Sequence, residues 1–136
     1  MGVLSENELL SMSENDYMNQ AQLAYFERLL LDQKAATMEE VEEAKKRLGS
    51  PPESNDEGDR AQYEEESALL IRLIDRKRRL LPKIDLALAK IHKGTFGYCA
   101  ETDEPIGIRR LLIRPTAEYS TDAKEIHENK EKHFRI

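Results

Sequence analysis

Apolar residues recur at steps of three and four along two long stretches of the chain, separated by a short segment where the pattern stops. In the first stretch Leu23, Phe26, Leu30, Thr37, Val41, Ala44 and Leu48 share one face, with neither Gly nor Pro from Tyr17 to Leu48. That spacing predicts a single long helix, with Ser13 to Asp16 offering side-chain oxygens as caps ahead of it. Lys34 stands where an apolar residue would complete the row, and successive steps of four there predict a stutter that locally unwinds a coiled coil. Glu42 and Glu43 precede Lys46 and Arg47 by one helical turn, so like Lys45 these basic residues sit in the last turn, where the helix dipole favours them. Gly49, Pro51, Pro52 and Gly58 then end the helix and mark a reversal loop over 49–58. The period resumes from Asp59 to Lys93 at Leu70, Leu73, Lys77, Leu80, Ile84, Ala87 and Ile91, widened by Ile74, Leu81 and Leu88. Two helices of about 30 residues joined by a short loop form an antiparallel hairpin, each arm about 45 Å long. Pro82 falls inside the second arm, where it lacks a donor and crowds the carbonyl of Arg78, so a kink is expected over 78–82.

Beyond Gly94 the pattern becomes short and turn-rich. Phe96, Tyr98, Ile106, Ile108, Leu111, Leu112 and Ile113 are available for a small core, with one or two short strands, and the charged run from Asp122 to Phe134 is helix-compatible around Ile126. Ahead of the hairpin, Leu4, Leu9, Leu10 and Met12 suit one helical turn docked on the body. The predicted fold is mainly α: a long antiparallel coiled-coil hairpin (17–93, tip loop 49–58) and a small finger-like globular head with short strands and a C-terminal helix (94–136). An N-terminal segment (1–16) packs on that head.

Composition narrows the function. In 136 residues, 35% are charged and 6% aromatic, a balance typical of long solvated helices. The net charge of −6 argues against a protein whose chief affinity is for the phosphates of nucleic acid, so protein partners are expected and sequence-specific DNA binding is not. A single cysteine excludes an internal disulfide framework. No signal-peptide succession and no long apolar run is present, so a soluble, cytoplasmic chain without membrane contact is expected. An intramolecular hairpin predicts a monomer.

Three constellations invite chemistry. The stretch from Gly94 to Lys124 has the frame of a C-x-x-C … C-x-x-C finger, yet only Cys99 is a cysteine; the other ligand places fall on Thr102, Ser120 and Ala123. A structural zinc site needs four thiolate or imidazole ligands, so no metal is expected and the head relies on its apolar residues. At the loop, Asp56 and Asp59 stand three apart in an acidic tip with Glu53 and Glu57. Capping explains them in part: Asp59 with Gln62 reads as a capping box and Asp56 as a turn residue. Finally, Arg76, Lys77, Arg78, Arg79 and Lys83 on the second arm, Arg109, Arg110 and Arg114 in the head, and Lys124 beyond it stand out in an acidic chain. If head and hairpin root adjoin, Lys83, Arg114 and Lys124 converge in a way that suits a phosphorylated small ligand. No glycine-rich phosphate loop and no nucleophile with an orienting base is present, so no enzyme is expected.

The F-G-Y-C segment ending at Cys99, the I-G-I-R-R-L run from Ile106, the R-P-T-A run from Arg114, the Asp56-x-x-Asp59-x-Ala61 tip and the Y-M-N-x-A-Q-L-A-x-F start of the first arm together resemble the DksA/TraR family of bacterial transcription regulators. The resemblance covers residues 14–127. It implies a hairpin inserted into the secondary channel of RNA polymerase, acting with ppGpp to shorten the lifetime of initiation complexes, repress stable-RNA promoters and favour some biosynthetic ones. It implies that Asp56, Asp59 and Ala61 form the tip near the polymerase active site, and that Arg76, Lys83, Arg114 and Lys124 contact ppGpp between regulator and polymerase. It also implies a zinc-independent member of the family with ppGpp as co-effector and no tightly bound cofactor. Pro82 departs from an uninterrupted arm and bears on how Lys83 is presented. Two rivals are a Gre-like transcript-cleavage factor, whose tip carboxylates would hold a catalytic metal, and a structural coiled-coil adaptor with no polymerase contact.

Overall fold

The computed structural model describes residues 4–53 and 56–120. Its elements are α1 (Glu6–Ser11), a single 3-10 turn (Glu14–Asp16), α2 (Gln20–Leu48), α3 (Glu57–Lys93) and α4 (Ile108–Ile113). They make two compact units. Residues 4–30 together with 86–120 form the head unit, and Leu31 to Asp85 form the stalk unit.

The stalk unit is the hairpin predicted from the apolar period. Val41, Ala44 and Ile74 form its buried centre, with Leu48, Leu70 and Leu73 packed around them. Cross-arm contacts pair Lys34 with Asp85, Glu40 with Lys77, and the carbonyl of Leu48 with the hydroxyl of Tyr63. Residue numbers rise on one arm as they fall on the other, which makes the arms antiparallel. Both lysines that interrupt the apolar row thus reach a carboxylate on the opposite arm, at 2.8 Å for Lys34–Asp85 and 3.0 Å for Lys77–Glu40. Their aliphatic stems cover the seam while their charged ends stay near water. Thr37 is buried in the same row, and its hydroxyl donates to the carbonyl of Gln33 one turn back at 2.7 Å.

Two sequence expectations change here. The second arm begins at Glu57, two residues before Asp59. The N–H of Arg60 donates to the carbonyl of Asp56 at 3.1 Å, which makes Asp56 the N-cap residue and puts Asp59 at the third helical position. Gln62 donates forward to Glu66 at 3.3 Å rather than closing a box with Asp59, so the capping frame lies three residues earlier than predicted. Moreover, α3 continues as one helix through Pro82.

In the head unit Phe26, Leu30, Ile91, Phe96, Cys99 and Leu111 are buried, and the rings of Phe26 and Phe96 stand 5.4 Å apart. The N-terminal turn forms as α1, closed by a capping box between Ser5 and Glu8, and Leu9 is buried where α1 packs against α4. The first arm starts at Gln20 rather than Tyr17. Asn19 accepts the N–H of Gln22 at 2.9 Å while the Gln22 side chain accepts the N–H of Met18 at 2.8 Å, a reciprocal cap that justifies burying Gln22. Strand structure among the described residues is a single antiparallel bridge between Tyr98 and Pro105; the predicted short strands reduce to this. The predicted C-terminal helix lies outside the described residues.

Candidate functional site

The finger-like segment is built from two turns tied together by backbone. Gly97 has a φ of 90°, which favours glycine, and an added Cβ would meet Met18 side-chain atoms at 2.9 Å and displace them. The chain then turns at Cys99–Glu104: the N–H of Cys99 donates to Glu104 at 2.7 Å, that of Asp103 back to Cys99 at 3.0 Å, and that of Ala100 across to Glu118 at 2.8 Å. Arg110 donates from Nε to the carbonyl of Tyr119 at 3.2 Å. The hydroxyl of Tyr17 donates to Gly97 at 2.6 Å and accepts the N–H of Gly107 at 3.0 Å, with Tyr98 edge-on at 5.5 Å. Burial raises the Tyr17 phenol above its usual value, more than the Gly107 hydrogen bond lowers it, so the ring stays neutral and keeps its proton for Gly97.

Cys99 is 1% exposed. Burial pushes its thiol up, but the Thr102 hydroxyl and the N–H groups of Ser120, Glu101 and Thr102 converge on the sulfur and outweigh burial, bringing it down to about 6. The places where a finger would carry its first, second and third ligands therefore do meet, at Cys99, Thr102 and Ser120. They meet as one acceptor and its donors. Thr102 and Ser120 lie outside the helices, and Cys99 is a buried small side chain. Ala123 lies outside the described residues.

At the start of α3, Asp56, Asp59 and Ala61 are all exposed within little more than one turn. Asp56 caps the helix, with Oδ2 lying 3.4 Å from where a Cβ on Gly58 would be. Asp59 is exposed in the first turn, where the helix dipole favours its charge.

On α3, Arg76 and Lys83 are exposed and line one surface depression with Asp75, Lys77, Arg79 and Leu80. Arg72 and Arg79 fall on the same helical stripe by their spacing of four, seven and eleven from Arg72 to Lys83. The sequence reading missed Arg72, although counting basic residues at helical spacing would have found it. Arg114 is exposed at the C-cap of α4 in the head unit, and Lys124 lies outside the described residues.

The hairpin with its capped acidic turn and the finger-like head correspond to two known families. Residues 22–91 match the family described as DnaK suppressor protein DksA, N-terminal domain, and residues 94–129 match the prokaryotic dksA/traR C4-type zinc finger. The chain belongs to the DksA family. A relative from Caulobacter vibrioides, named RNA polymerase-binding transcription factor DksA, is 43% identical over 135 residues, covering 98% of this chain and 95% of its own length. The relative of that name from Escherichia coli K12 is 41% identical, covering 86% of this chain and 78% of its own length. Among solved structures, transcription factor DksA2 from Pseudomonas aeruginosa superposes with a TM-score of 0.81 at 42% identity, covering 95% of this chain and 100% of that one.

Membership in a C4-type finger family implies zinc, and the donor set here does not fit it. Cys99 contributes the sole thiol, while hydroxyls at Thr102 and Ser120 are poor zinc ligands. Among the described residues no group of three or more His, Cys, Asp or Glu side chains is placed to hold a metal ion. No helix there is long and apolar enough to cross a membrane.

Proposed function

We propose that this chain is a non-enzymatic regulator of transcription that binds RNA polymerase in the cytoplasm and acts with ppGpp, without zinc, to destabilise initiation complexes. The observation that carries the reading is the helical hairpin whose turn exposes Asp59, in a chain similar along most of its length to RNA polymerase-binding factors. The stalk enters the secondary channel with Asp56, Asp59 and Ala61 approaching the catalytic centre. Asp56 keeps the helix start rigid, so the Asp59 carboxylate is presented in a fixed place, and Ala61 leaves room beside it. Cationic side chains at Arg76 and Lys83, with Arg114 and Lys124, contact ppGpp in the complex with polymerase; bidentate guanidinium groups suit its phosphates. The regulator works as a monomer and does not read DNA sequence. Responsive promoters are those of stable RNA, which it represses, and some biosynthetic ones, which it activates.

In-vitro transcription from a ribosomal promoter, with and without ppGpp, tests this. Asp59→Asn abolishes repression while binding to core polymerase stays within about twofold of wild type, because the exchange removes a charge without altering volume. Full repression by Asp59→Asn, or failure of the chain to bind core polymerase, rejects the reading.

A further inference from the structure

The last four carbonyls of α2 have no partner further along the helix, and the residues just after it meet three of them. Lys45 and Lys46 accept the N–H of Gly49 at 3.1 and 3.2 Å, Arg47 accepts that of Ser50 at 3.3 Å, and Lys46 also accepts the Ser50 hydroxyl at 3.1 Å. Leu48 is met across the turn. Its carbonyl accepts the hydroxyl of Tyr63 on α3 at 2.6 Å, nearer the turn than the ion pairs Glu40–Lys77 and Lys34–Asp85. From Glu57 to Leu69 every residue of α3 is exposed except Tyr63 and Ser67, which are partly buried, and the Ser67 hydroxyl has no hydrogen-bond partner among the described residues. The apolar seam with α2 starts further down, where Leu70, Leu73 and Ile74 pack with Val41, Ala44 and Leu48. Leu70 lies about 10 Å along the helix from Tyr63. The outer turns of α3 thus have little buried apolar surface to hold them, which marks a segment that opens easily.

We propose that Tyr63 is a positioning residue for the tip: by holding the last carbonyl of α2 it fixes the first turns of α3, and with them the place where Asp59 is presented. Asp59 precedes Tyr63 by four residues, so the two share one face of the helix, about 6 Å apart along its axis. Tyr63 acts through this anchor and makes no contact with polymerase. The hydroxyl is the part that matters, because it supplies the donor that the end of α2 lacks. The proposal rests on the polymerase reading above, since the tip has its task there, but the anchor itself is measured on the isolated chain.

Tyr63→Phe keeps the ring and removes the bond. Amide hydrogen exchange of the full chain, without polymerase, reads the anchor: the variant exchanges about threefold faster or more over 57–66 and is unchanged over 70–93. In-vitro transcription from a ribosomal promoter with ppGpp reads its use. At saturating protein the variant represses about threefold less than wild type or weaker still, while its affinity for core polymerase stays within about twofold. Glu42→Gln, which breaks an ion pair inside α2, leaves exchange, affinity and repression unchanged, and circular dichroism confirms that both variants remain helical. Unchanged exchange in Tyr63→Phe overturns the proposal, as does an equal loss in Glu42→Gln. Full repression by Tyr63→Phe, where the wild type represses and Asp59→Asn does not, overturns it while the polymerase reading stands. Weakened binding of Tyr63→Phe to core polymerase overturns it too, by making Tyr63 a contact residue. A wild-type chain that does not repress rejects the polymerase reading, and the role of Tyr63 with it.

Discussion

Cys99 is the one cysteine of the chain, and it is buried in the finger-like segment. Burial raises its thiol, while the Thr102 hydroxyl and the backbone N–H groups of Ser120, Glu101 and Thr102 lower it by more. Replacement of Cys99 by Ala removes the acceptor and part of a fully buried side chain, so Cys99→Ala lowers the unfolding free energy by about 0.5–3 kcal/mol, measured by urea denaturation, while Cys99→Ser retains part of it through its oxygen. The pH dependence follows from the direction of the shift. A thiol lowered from 9.0 to about 6 in the folded chain contributes stability that is fully present above the unfolded value and is lost as pH falls through about 6. Thermal unfolding between pH 9 and pH 6 therefore shows a falling midpoint in the wild type, and the slope in this window is reduced in Cys99→Ser.

At the level of elements, α3 passes through Pro82 without interruption. The ring still removes the hydrogen bond to Arg78, and proline inside a helix costs about 3 kcal/mol. Flanking burial at Ile84 and partial burial of Leu80 and Leu81 hold the helix together against that cost. Pro82→Ala accordingly raises the unfolding free energy by about 1–3 kcal/mol by chemical denaturation; no change would mean that the helix has fully adapted to the ring. The cross-arm pairs Lys34–Asp85 and Lys77–Glu40 contribute less, because their partly exposed side chains place them among surface ion pairs worth about 0.2–1 kcal/mol each. Their effect is on register, since a slip of either arm would leave a lysine on the seam without its carboxylate.

For the molecule as a whole, metal removal gives a direct check. A finger frame that offers one thiol and two hydroxyls lacks a structural zinc ligand set, so the proposed metal-free regulator is expected to keep both its circular-dichroism melting curve and its regulation at a ribosomal promoter when a strong chelator is added. Loss of either on chelation would reject metal-free folding. A four-cysteine relative treated alongside provides the contrast, because structural zinc supplies folding free energy outright.

The chain's own order of residues determined the hairpin, because a helical face is a local property: Val41, Ala44, Ile74 and Leu73 announce themselves by period alone, and Gly49 with the two prolines after it leaves the helix nowhere to go. The loss of finger cysteines was equally legible, as was the acidic turn. What the order of residues left open were pairings across long separations. Lys34 read as a break in the row until Asp85 was seen opposite, and Tyr17 as the first residue of a helix until its hydroxyl was found bridging Gly97 and Gly107. The cap at Asp56 also escaped, because two carboxylates three apart fit two capping frames equally well and only the first backbone hydrogen bond distinguishes them. Most of all, tertiary structure decided what Cys99 is for: backbone N–H groups have no letter in a sequence, and three of the four donors converging on its sulfur are backbone.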